Sequence, residues 1–340
     1  MSHYVLEDVL GARGQTNLRF LHPTAVTAVA GGAEVAIADY NHRIQIITPS
    51  GHFRRIIGSP HGHDGLRYPS GIVADADGYT VIVADTRNHR LVRLRTADGK
   101  VLSNASSWQP SFGQHAQPLK NPRCVAMHMT RWGGYGMIPL LFVASDAGVS
   151  TFALAPTQGG SISLPGLVPL GTDAAMVPMI AFSSTNGMAV PKMAAGIAAA
   201  HMSDGTHVYV ADTNFDRVQD WHFHSGTTTF RHVRNIGESG ELPGQFRRPV
   251  GLAVLPHASG ELALSRLFVA ERDGKRIQVL DTAGKPLQVL ASDRAARFGG
   301  MCFAQRSPMD ASADAQRLVV MSRSSHQVFI FRRQRRGAAG

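Results

Sequence analysis

One phrase recurs six times along the chain, and this repeat constrains the fold more than any other feature of the sequence. Each copy is an apolar strand ending in an acidic or small residue, then a polar turn, then a second apolar strand. The clear copies are VAIADYNHRIQII (35–47), VIVADTRNHRLVRL (81–94), VYVADTNFDRVQDW (208–221) and LFVAERDGKRIQVL (267–280), and the weaker copies are at 141–154 and 318–331. Recurrence roughly every 50 to 65 residues is typical of β-propeller blades.

Two further phrases flank most copies. A Pro or a small residue followed by an apolar run stands upstream, as in YPSGIVAD (68–75), and a short strand closed by Gly stands downstream, as in FRRIIG (53–58). Each unit therefore predicts four antiparallel strands, a to d, and six units predict an all-β, six-bladed propeller. Small residues on strand a indicate that the inner backbones approach closely around the axis. These residues are Gly71, Gly196, Gly251 and Gly299.

The ends of the chain predict how the ring closes. The sixth unit stops without a fourth strand, and the chain opens with a d-type strand that has no a, b or c before it. Residues 3–11 are therefore expected to pair beside residues 327–332 and to complete the last blade, which removes open sheet edges. The predicted propeller spans 1–332, with blades at 19–58, 66–108, 119–172, 194–237, 246–292 and 298–332 plus 3–11, and a basic tail at 333–340.

The turn between strands b and c carries a recognisable motif. Asp39 or Asp85 is expected to accept hydrogen bonds from turn amides, Asn41 or Asn88 to adopt a positive φ, and the following Arg to reach a nearby carboxylate. The triplets Asn41-His42-Arg43 and Asn88-His89-Arg90, set in PxGIxxD…GxxVxVADTxNHRLxxL, resemble the NHL repeat. The resemblance implies a six-bladed propeller over nearly the whole chain. The sequence shows no RING finger, B-box or coiled coil beside it, so a ubiquitin-ligase activity is not expected.

Tests for catalytic chemistry on this architecture are negative. Amidating lyases resemble NHL propellers and place zinc-binding histidines after the strand-a proline, but here Thr24, Ser70, Arg123 and Val250 occupy that position. Lactonases need carboxylates converging on the channel for calcium, and the inner strands here are apolar. The histidines that have alternate spacing or lie at the far end of strand a are His61 with His63, His222 with His224, His128 and His201. None of these sets offers a third ligand, so the sequence predicts no metal, no cofactor and no catalytic residue.

Binding surfaces are the remaining expectation. In a propeller the b–c turns and the d–a loops emerge on one face, and here they carry cations interleaved with aromatic residues. The predicted basic rim is Arg43, Arg67, Tyr68, Arg87, His89, Arg90, Arg123, Arg217, Phe246, Arg247, Arg248, Lys275 and Arg276. We expect a non-enzymatic scaffold that binds a protein partner through these loops. Single-stranded RNA is the alternative, because such side chains contact phosphates and stack on bases, and some NHL domains bind RNA on this face.

A second, apolar surface is predicted in the long connection at 155–193 between blades three and four. It is rich in Gly, Pro and Ser, and Met176, Met179, Phe182 and Met188 within it either dock a protein or cover their own blade. The chain as a whole has a net charge of +10, two cysteines and no apolar run long enough to span a membrane. Together with an N-terminus that lacks a signal-peptide pattern, this predicts a monomeric protein of the cytoplasm or nucleus, neither secreted nor membrane-bound.

Overall fold

The computed structural model shows an all-β architecture. It describes residues 2–58, 65–105, 119–131, 137–146, 148–156, 168–169, 174–179, 194–224, 229–291, 296–305 and 316–335. Within these ranges the helical elements are short 3₁₀ turns at Ala30–Gly32, Thr86–Asn88, Thr213–Phe215 and Leu262–Leu264. No helix in this part of the chain has the length and apolar character needed to cross a bilayer.

The strands follow the predicted order. Three strands precede the first blade: β1 (Ser2–Leu10), β2 (Ala12–Arg13) and β3 (Arg19–Phe20). Blades one and two contain β4 (Ala25–Val29), β5 (Glu34–Asp39), β6 (Arg43–Ile47) and β7 (Phe53–Ile57), then β8 (Pro69–Ala74), β9 (Thr80–Asp85), β10 (Arg90–Arg95) and β11 (Val101–Ala105). Blade three contains β12 (Cys124–Arg131), β13 (Met137–Ser145), β14 (Gly148–Pro156), β15 (Val168–Pro169) and β16 (Ala174–Met179).

The last three blades continue the pattern. Blade four contains β17 (Ile197–Met202), β18 (Gly205–Asp212), β19 (Arg217–His224) and β20 (Thr229–Ile236). Blade five contains β21 (Pro249–Leu255), β22 (Arg266–Glu271), β23 (Arg276–Asp281) and β24 (Pro286–Ala291), and blade six contains β25 (Phe298–Gln305), β26 (Gln316–Ser322) and β27 (Gln327–Arg335). Neighbouring strands within each blade are antiparallel and follow chain order from a to d, with β15 added outside β16 and β1 placed beside β27. The six-bladed propeller is therefore confirmed.

The six a strands form a closed ring around the axis. Strands β4, β8, β12, β17, β21 and β25 contact one another in that order, and β25 contacts β4. The glycines predicted to permit this approach differ in how closely they contact the neighbouring strand. A Cβ on Gly251 would lie 1.8 Å from the carbonyl oxygen of Gly299, and a Cβ on Gly196 would lie 2.5 Å from the carbonyl oxygen of Val250. Only glycine fits at these two positions without moving backbone.

The N-terminal strand closes the ring as predicted. Strand β1 pairs with β27 from Ser2 opposite Arg335 to Leu10 opposite Val328, with one irregularity between Leu6 and Asp8. Strand β27 therefore extends to Arg335, so the region predicted as a basic tail begins as strand. Tyr4 of β1 also bonds to blade five through both backbone groups, since its N–H donates to Gln288 Oε1 at 3.0 Å and its carbonyl accepts from Gln288 Nε2 at 2.8 Å.

In the described part of the chain the hydrophobic core is divided into six clusters, one between each pair of neighbouring blades. The cluster between blades six and one contains Val26, Ile37, Val319 and Met321, all buried. Alternate residues of each inner strand point into opposite clusters because side chains alternate across a strand. Burial on both faces explains why the strands are nearly continuous apolar runs.

The third blade departs from its predicted boundary. Its outer strand, β16, pairs with β14 from Thr151 opposite Met179 to Pro156 opposite Ala174, so the blade extends past residue 172 into the predicted insertion. Met176 and Met179 belong to this strand, and the structure describes their backbone only. Phe182 and Met188 lie outside the described residues, as do His61 and His63. The predicted apolar docking surface stays a prediction.

The b–c turn has a different local geometry from the predicted one. The residue with positive φ is the histidine of the triplet, His42 (φ 62°) and His89 (φ 53°), instead of the asparagine. Asn88 donates through Nδ2 to Asp85 Oδ2 at 2.7 Å and to the Gly65 carbonyl at 2.9 Å. The asparagine therefore serves as a donor that fixes the turn, and the left-handed residue follows it.

Candidate interaction face

The histidine of the triplet joins neighbouring blades on the face where the b–c turns emerge. In four blades, among the described residues, the side chain at this position accepts a hydrogen bond from a backbone N–H of the next blade, one to three residues before strand a. Each bond runs from a backbone N–H to a side-chain atom: Tyr68 to His42 Nδ1 (3.1 Å), Asn121 to His89 Nδ1 (3.1 Å), Arg248 to Asp216 Oδ1 (2.6 Å) and His22 to His326 Nδ1 (2.9 Å). The donor residues also have positive φ. These bonds hold adjacent blades together, and the last one spans the closure of the ring.

The arginine of the motif is also structural. Its guanidinium bonds to the carboxylate that ends strand b and to carbonyl groups of the loop entering its own blade. Arg90 Nε lies 2.7 Å from Asp85 Oδ2, and Arg276 Nε lies 2.7 Å from Glu271 Oε1 and donates through Nη2 to the Gln245 carbonyl at 2.9 Å. Arg43 pairs with Asp39 and Arg217 pairs with Asp212 in the same manner. Removing one partner of such a buried pair would leave the other charge buried and unpaired.

Several predicted rim residues are therefore unavailable to a ligand. Phe246 is fully buried, and the side chains of Arg43 and Arg90 are each 8% exposed because their partners lie inside the blade. Arg217 and Arg276 are partly buried in the corresponding pairs. These five side chains therefore contribute little exposed surface, and the binding role of the predicted rim stays a prediction. The exposed or half-exposed members are Arg67, Tyr68, Arg87, His89, Arg123, Arg247, Arg248 and Lys275.

A continuous row of aromatic rings crosses this face from blade six to blade two. His326 and His22 have ring centroids 4.5 Å apart, and His22 lies 6.0 Å from Tyr40. Tyr40 meets Tyr68 edge-to-face at 5.0 Å, and Tyr68 meets His42 edge-to-face at 4.6 Å. These five residues are called the aromatic row below. Edge-to-face contacts at this spacing are favourable and hold the rings in fixed positions.

An arginine quartet lies beside the aromatic row, on blades five and six. It consists of Arg248, Arg272, Arg297 and Arg323, from two d–a loops and two b–c turns. Burial lowers the pKa of Arg272, and the charges of Arg248, Arg323 and Arg297 lower it further, whereas Asp273 opposes them. Asp273 is, among the described residues, the carboxylate that pairs with the quartet, at 3.7 Å from Arg248 and 3.8 Å from Arg272. Asp273 thus pairs with two of the four guanidinium groups.

Arg323 connects the quartet to the aromatic row. Its guanidinium carbon lies 5.0 Å from the ring centroid of Tyr40, and its Nη2 donates to the Tyr40 hydroxyl at 2.7 Å. The carbonyl of Arg323 also lies 3.0 Å from His22 Nδ1. Cation–π and hydrogen-bond contacts therefore fix an arginine at the junction of the two groups. The rim predicted from sequence included Tyr68 and Arg248 and omitted the other members.

A separate polar cluster lies at the opposite end of blade four, beside the turn between β17 and β18. Asp204, His207 and His222 place one ligand-type atom each within 4.8 Å of one another, and they are the described residues that group in this way. His207 is buried between two carboxylates, with Nδ1 at 2.7 Å from Asp220 Oδ1 and Nε2 at 3.1 Å from Asp204 Oδ2. Burial alone would lower the pKa of His207, but Asp220 and Asp204 outweigh burial and raise it. The sequence prediction had missed Asp204 and His207.

Comparisons with known proteins agree with the repeat and the fold. The family model for the NHL repeat matches residues 66–94, which contain β8, β9 and most of β10. The chain carries an NHL repeat within a six-bladed β-propeller. A relative, NHL repeat-containing protein 2 from Gallus gallus, is 28% identical over 111 residues. That match covers 29% of this chain and 15% of the relative, so most of the relative's length has no counterpart in the matched region.

A solved structure has the same propeller architecture over nearly the whole of this chain. The structure of a luciferin-regenerating enzyme superposes with a TM-score of 0.53 and covers 94% of this chain and 92% of that one. The two chains are 14% identical. At that identity the similarity establishes the propeller fold alone, because one propeller fold serves many unrelated functions.

Proposed function

We propose that this propeller is a non-enzymatic interaction module that binds a protein partner through the face carrying the arginine quartet and the aromatic row. The partner would present an acidic segment to the quartet. The observation that carries the proposal is the clustering of Arg248, Arg272, Arg297 and Arg323, within which the ion pairs among the described residues are those of Asp273 with Arg248 and Arg272. Like charges held together repel one another, so an arriving carboxylate relieves a cost already present in the free protein.

The neighbouring rings support a protein partner in particular. Arginine and tyrosine are the residue types that carry most binding energy in protein interfaces. Tyr68 is 41% exposed, and its ring is fixed by edge-to-face contacts with Tyr40 and His42. A ring that is fixed before binding loses little rotamer entropy when a partner covers it. The quartet would supply charge complementarity, and the aromatic row would supply apolar area.

Single-stranded RNA is the second candidate. The exposed ring of Tyr68 beside a row of guanidinium groups is the combination that stacks on a base and contacts the backbone. Against RNA, the edges of neighbouring rings and the Arg323 guanidinium already contact the Tyr40 ring. Stacking needs a free ring face, so fewer bases would be held here than the number of aromatic residues suggests.

Charge reversal on this face tests the proposal. The test variant is Arg272→Glu/Arg297→Glu/Arg323→Glu, and the control is Arg54→Glu/Arg231→Glu/Arg332→Glu, which changes the net charge equally at exposed positions on β7, β20 and β27. Crosslinking with mass spectrometry, with and without nuclease, should recover protein partners with the wild type and the control and lose them with the test variant. Equal recovery by all three proteins would contradict the proposal.

A defined probe separates the two candidates. Binding of a polyglutamate peptide and of an oligouridine is measured as a function of salt for the same three proteins. If four arginines each contact a phosphate, the log–log salt slope for RNA is about −2.8, from about −0.7 per contact. Tight oligouridine binding with that slope, and loss of the crosslinked proteins after nuclease treatment, would assign the face to RNA.

The thiols bear on where the module would act. Cys124 and Cys302 are both free. Burial raises the pKa of Cys124 to about 11 and that of Cys302 to about 12, which keeps both thiols protonated and unreactive. Unpaired thiols in a chain without a disulfide support a reducing compartment, the cytoplasm or the nucleus, as the place of action.

A further inference from the structure

The geometry points to a divalent transition-metal site formed by Asp204, His207 and His222 in blade four. This inference is independent of the proposed interaction face. The turn between β17 and β18 lies at the end of the propeller opposite the b–c turns, so a metal here and a partner there would occupy different faces. The ligand set is two imidazole nitrogens and one carboxylate oxygen, which suits zinc and similar ions better than calcium or magnesium.

The two histidines are positioned by strand pairing. His207 of β18 lies directly opposite His222 of β19, and their ring centroids are 4.9 Å apart. Directly opposite residues of an antiparallel pair project on the same face of the sheet. Here that face packs toward blade five, as the neighbouring Tyr209 and Val218 do. The pairing therefore fixes two nitrogen ligands before any metal arrives.

Asp220 orients His207 in the manner of an outer-shell carboxylate. Its Oδ1 lies 2.7 Å from His207 Nδ1, and its Oδ2 accepts from Arg234 Nε at 3.1 Å. With Nδ1 occupied, His207 directs Nε2 toward Asp204, whose two carboxylate oxygens lie at 3.1 and 3.2 Å. Metal-ligating histidines commonly hold such a carboxylate on the nitrogen that does not bind the metal.

The turn at Gly205 packs against the third ligand. A Cβ at this residue would lie 2.5 Å from His222 Nε2, and the backbone φ of 134° is one that other residues rarely adopt. His222 Nε2 donates to the carbonyl oxygen of Asp204 at 2.9 Å, so the same turn holds the ring close to the other ligands, and a metal on this nitrogen would replace that proton and hydrogen bond. Glycine therefore permits the close approach of the turn to the ring.

The dimensions suit a tetrahedral ion after small side-chain movements. Ligands about 2.0–2.1 Å from zinc in tetrahedral geometry lie about 3.3 Å from one another. The separations between His207 Nε2 and the Asp204 oxygens already match, and the widest separation in the group is at most 4.8 Å. Asp204 has a side chain that is 51% exposed, which gives an ion an entry path from solvent. Three protein ligands leave the fourth position to water.

Cobalt titration of the full-length, tag-free protein, stripped with chelator and desalted, tests the site. Co²⁺ should bind once per chain with a visible ligand-field spectrum, be displaced by Zn²⁺, and be unaffected by Ca²⁺ or Mg²⁺. His222→Ala and Asp204→Asn should each weaken binding at least tenfold, and Asp220→Asn should weaken it about 10- to 100-fold as a positioning residue. The control is His52→Ala, an exposed histidine in a turn of blade one, which should bind as the wild type does.

Folding is checked separately, because Asp220 is fully buried. Far-ultraviolet circular dichroism and the thermal midpoint without metal establish that each variant is folded, and Zn²⁺ should raise the midpoint of the wild type and not that of His222→Ala. Failure to bind one equivalent of Co²⁺ or Zn²⁺ would overturn the inference. Binding that persists undiminished in both His222→Ala and Asp204→Asn would overturn it as well.

Discussion

The buried imidazole of His128 should make the stability of the propeller depend on pH. His128 lies on β12, the inner strand of blade three, and its Nε2 is buried without a hydrogen-bond partner among the described residues. Burial lowers the pKa of His128 to about 4, and the neighbouring His201 contributes to the shift. The perturbation to make is His128→Met, which removes the titrating group and keeps an adaptable apolar side chain in its place.

The sign and size follow from proton linkage. The pKa of His128 falls from 6.5 in the unfolded chain to about 4 in the folded one, so the folded state binds fewer protons between these values. Stability from this residue is therefore fully present above the unfolded pKa and is lost as the pH falls toward the folded pKa. At about pH 5 the loss is about 2 kcal/mol, from about 1.4 kcal/mol per unit, and near pH 7.5 it is close to zero.

Urea denaturation of the wild type and of His128→Met at both pH values measures the effect, once reversibility has been established. The difference in unfolding free energy between the two proteins should shift by about 2 kcal/mol in favour of the variant on going from about pH 7.5 to about pH 5. His52→Met, at an exposed position, should show no such shift. A constant difference between wild type and His128→Met across this range would refute the reasoning.

Three further perturbations test the architecture by changes in the urea midpoint. Gly251→Ala, whose Cβ would meet a carbonyl oxygen at 1.8 Å, should destabilise strongly, whereas the corresponding Gly299→Ala, whose nearest contact is 3.8 Å, should be nearly neutral. Deleting β1 should lower the midpoint sharply because it exposes the edge of β27, and an unchanged midpoint would contradict closure. Arg90→Met should cost about 3 kcal/mol because it leaves a buried carboxylate unpaired, whereas Arg95→Met, from an exposed pair, should leave the midpoint nearly unchanged.

The fold was predictable because each blade repeats the same short sequence pattern. The acidic end of strand b, the polar turn and the apolar strand that follows appear together in the sequence, and each has one physical role in the structure. Asp85, for example, accepts from the Arg67 N–H at 2.6 Å and from Arg90 Nε at 2.7 Å, as a carboxylate at a turn is expected to do. Closure was predictable for a similar reason, since β1 and β27 each needed a partner.

Other features depended on contacts between blades, which the repeat does not display. The sequence placed His89 in the basic rim and assigned the triplet histidines no structural role, but His42 and His89 accept hydrogen bonds from the following blade. Tertiary packing likewise decides that Phe246 is buried, although it stands in a loop directly before two arginines. A position within one repeat cannot show which group of the neighbouring repeat it meets.

The cluster of Asp204, His207 and His222 has a partial signal in the sequence, which is the spacing of its two histidines from the b–c turn. Asp212 pairs with Arg217 at the b–c turn of blade four, and five residues outward on each strand the pairing reaches His207 and His222. The sequence pattern predicted a pair within one strand, His222 and His224, whereas the structure pairs His222 with His207 on the neighbouring strand. The approach of Asp204 to the two histidines depends on the tight turn at Gly205, and the sequence pattern does not predict the positive φ of this glycine.

The distribution of roles within the motif bears on where the proposed binding face can vary. The carboxylate and the arginine of each motif pair inside the blade, and the histidine bonds to the next blade, so these residues have the same structural role in each copy. Two other positions differ between copies: the residue after the strand-b carboxylate and the residue before strand a. At these positions blades one and two carry Tyr40, Tyr68 and His22, and blades five and six carry Arg248, Arg272, Arg297 and Arg323. The propeller fixes the backbone at these two positions, so a change of side chain there changes the face without changing the fold. The side chains present divide the face into an aromatic side and a basic side.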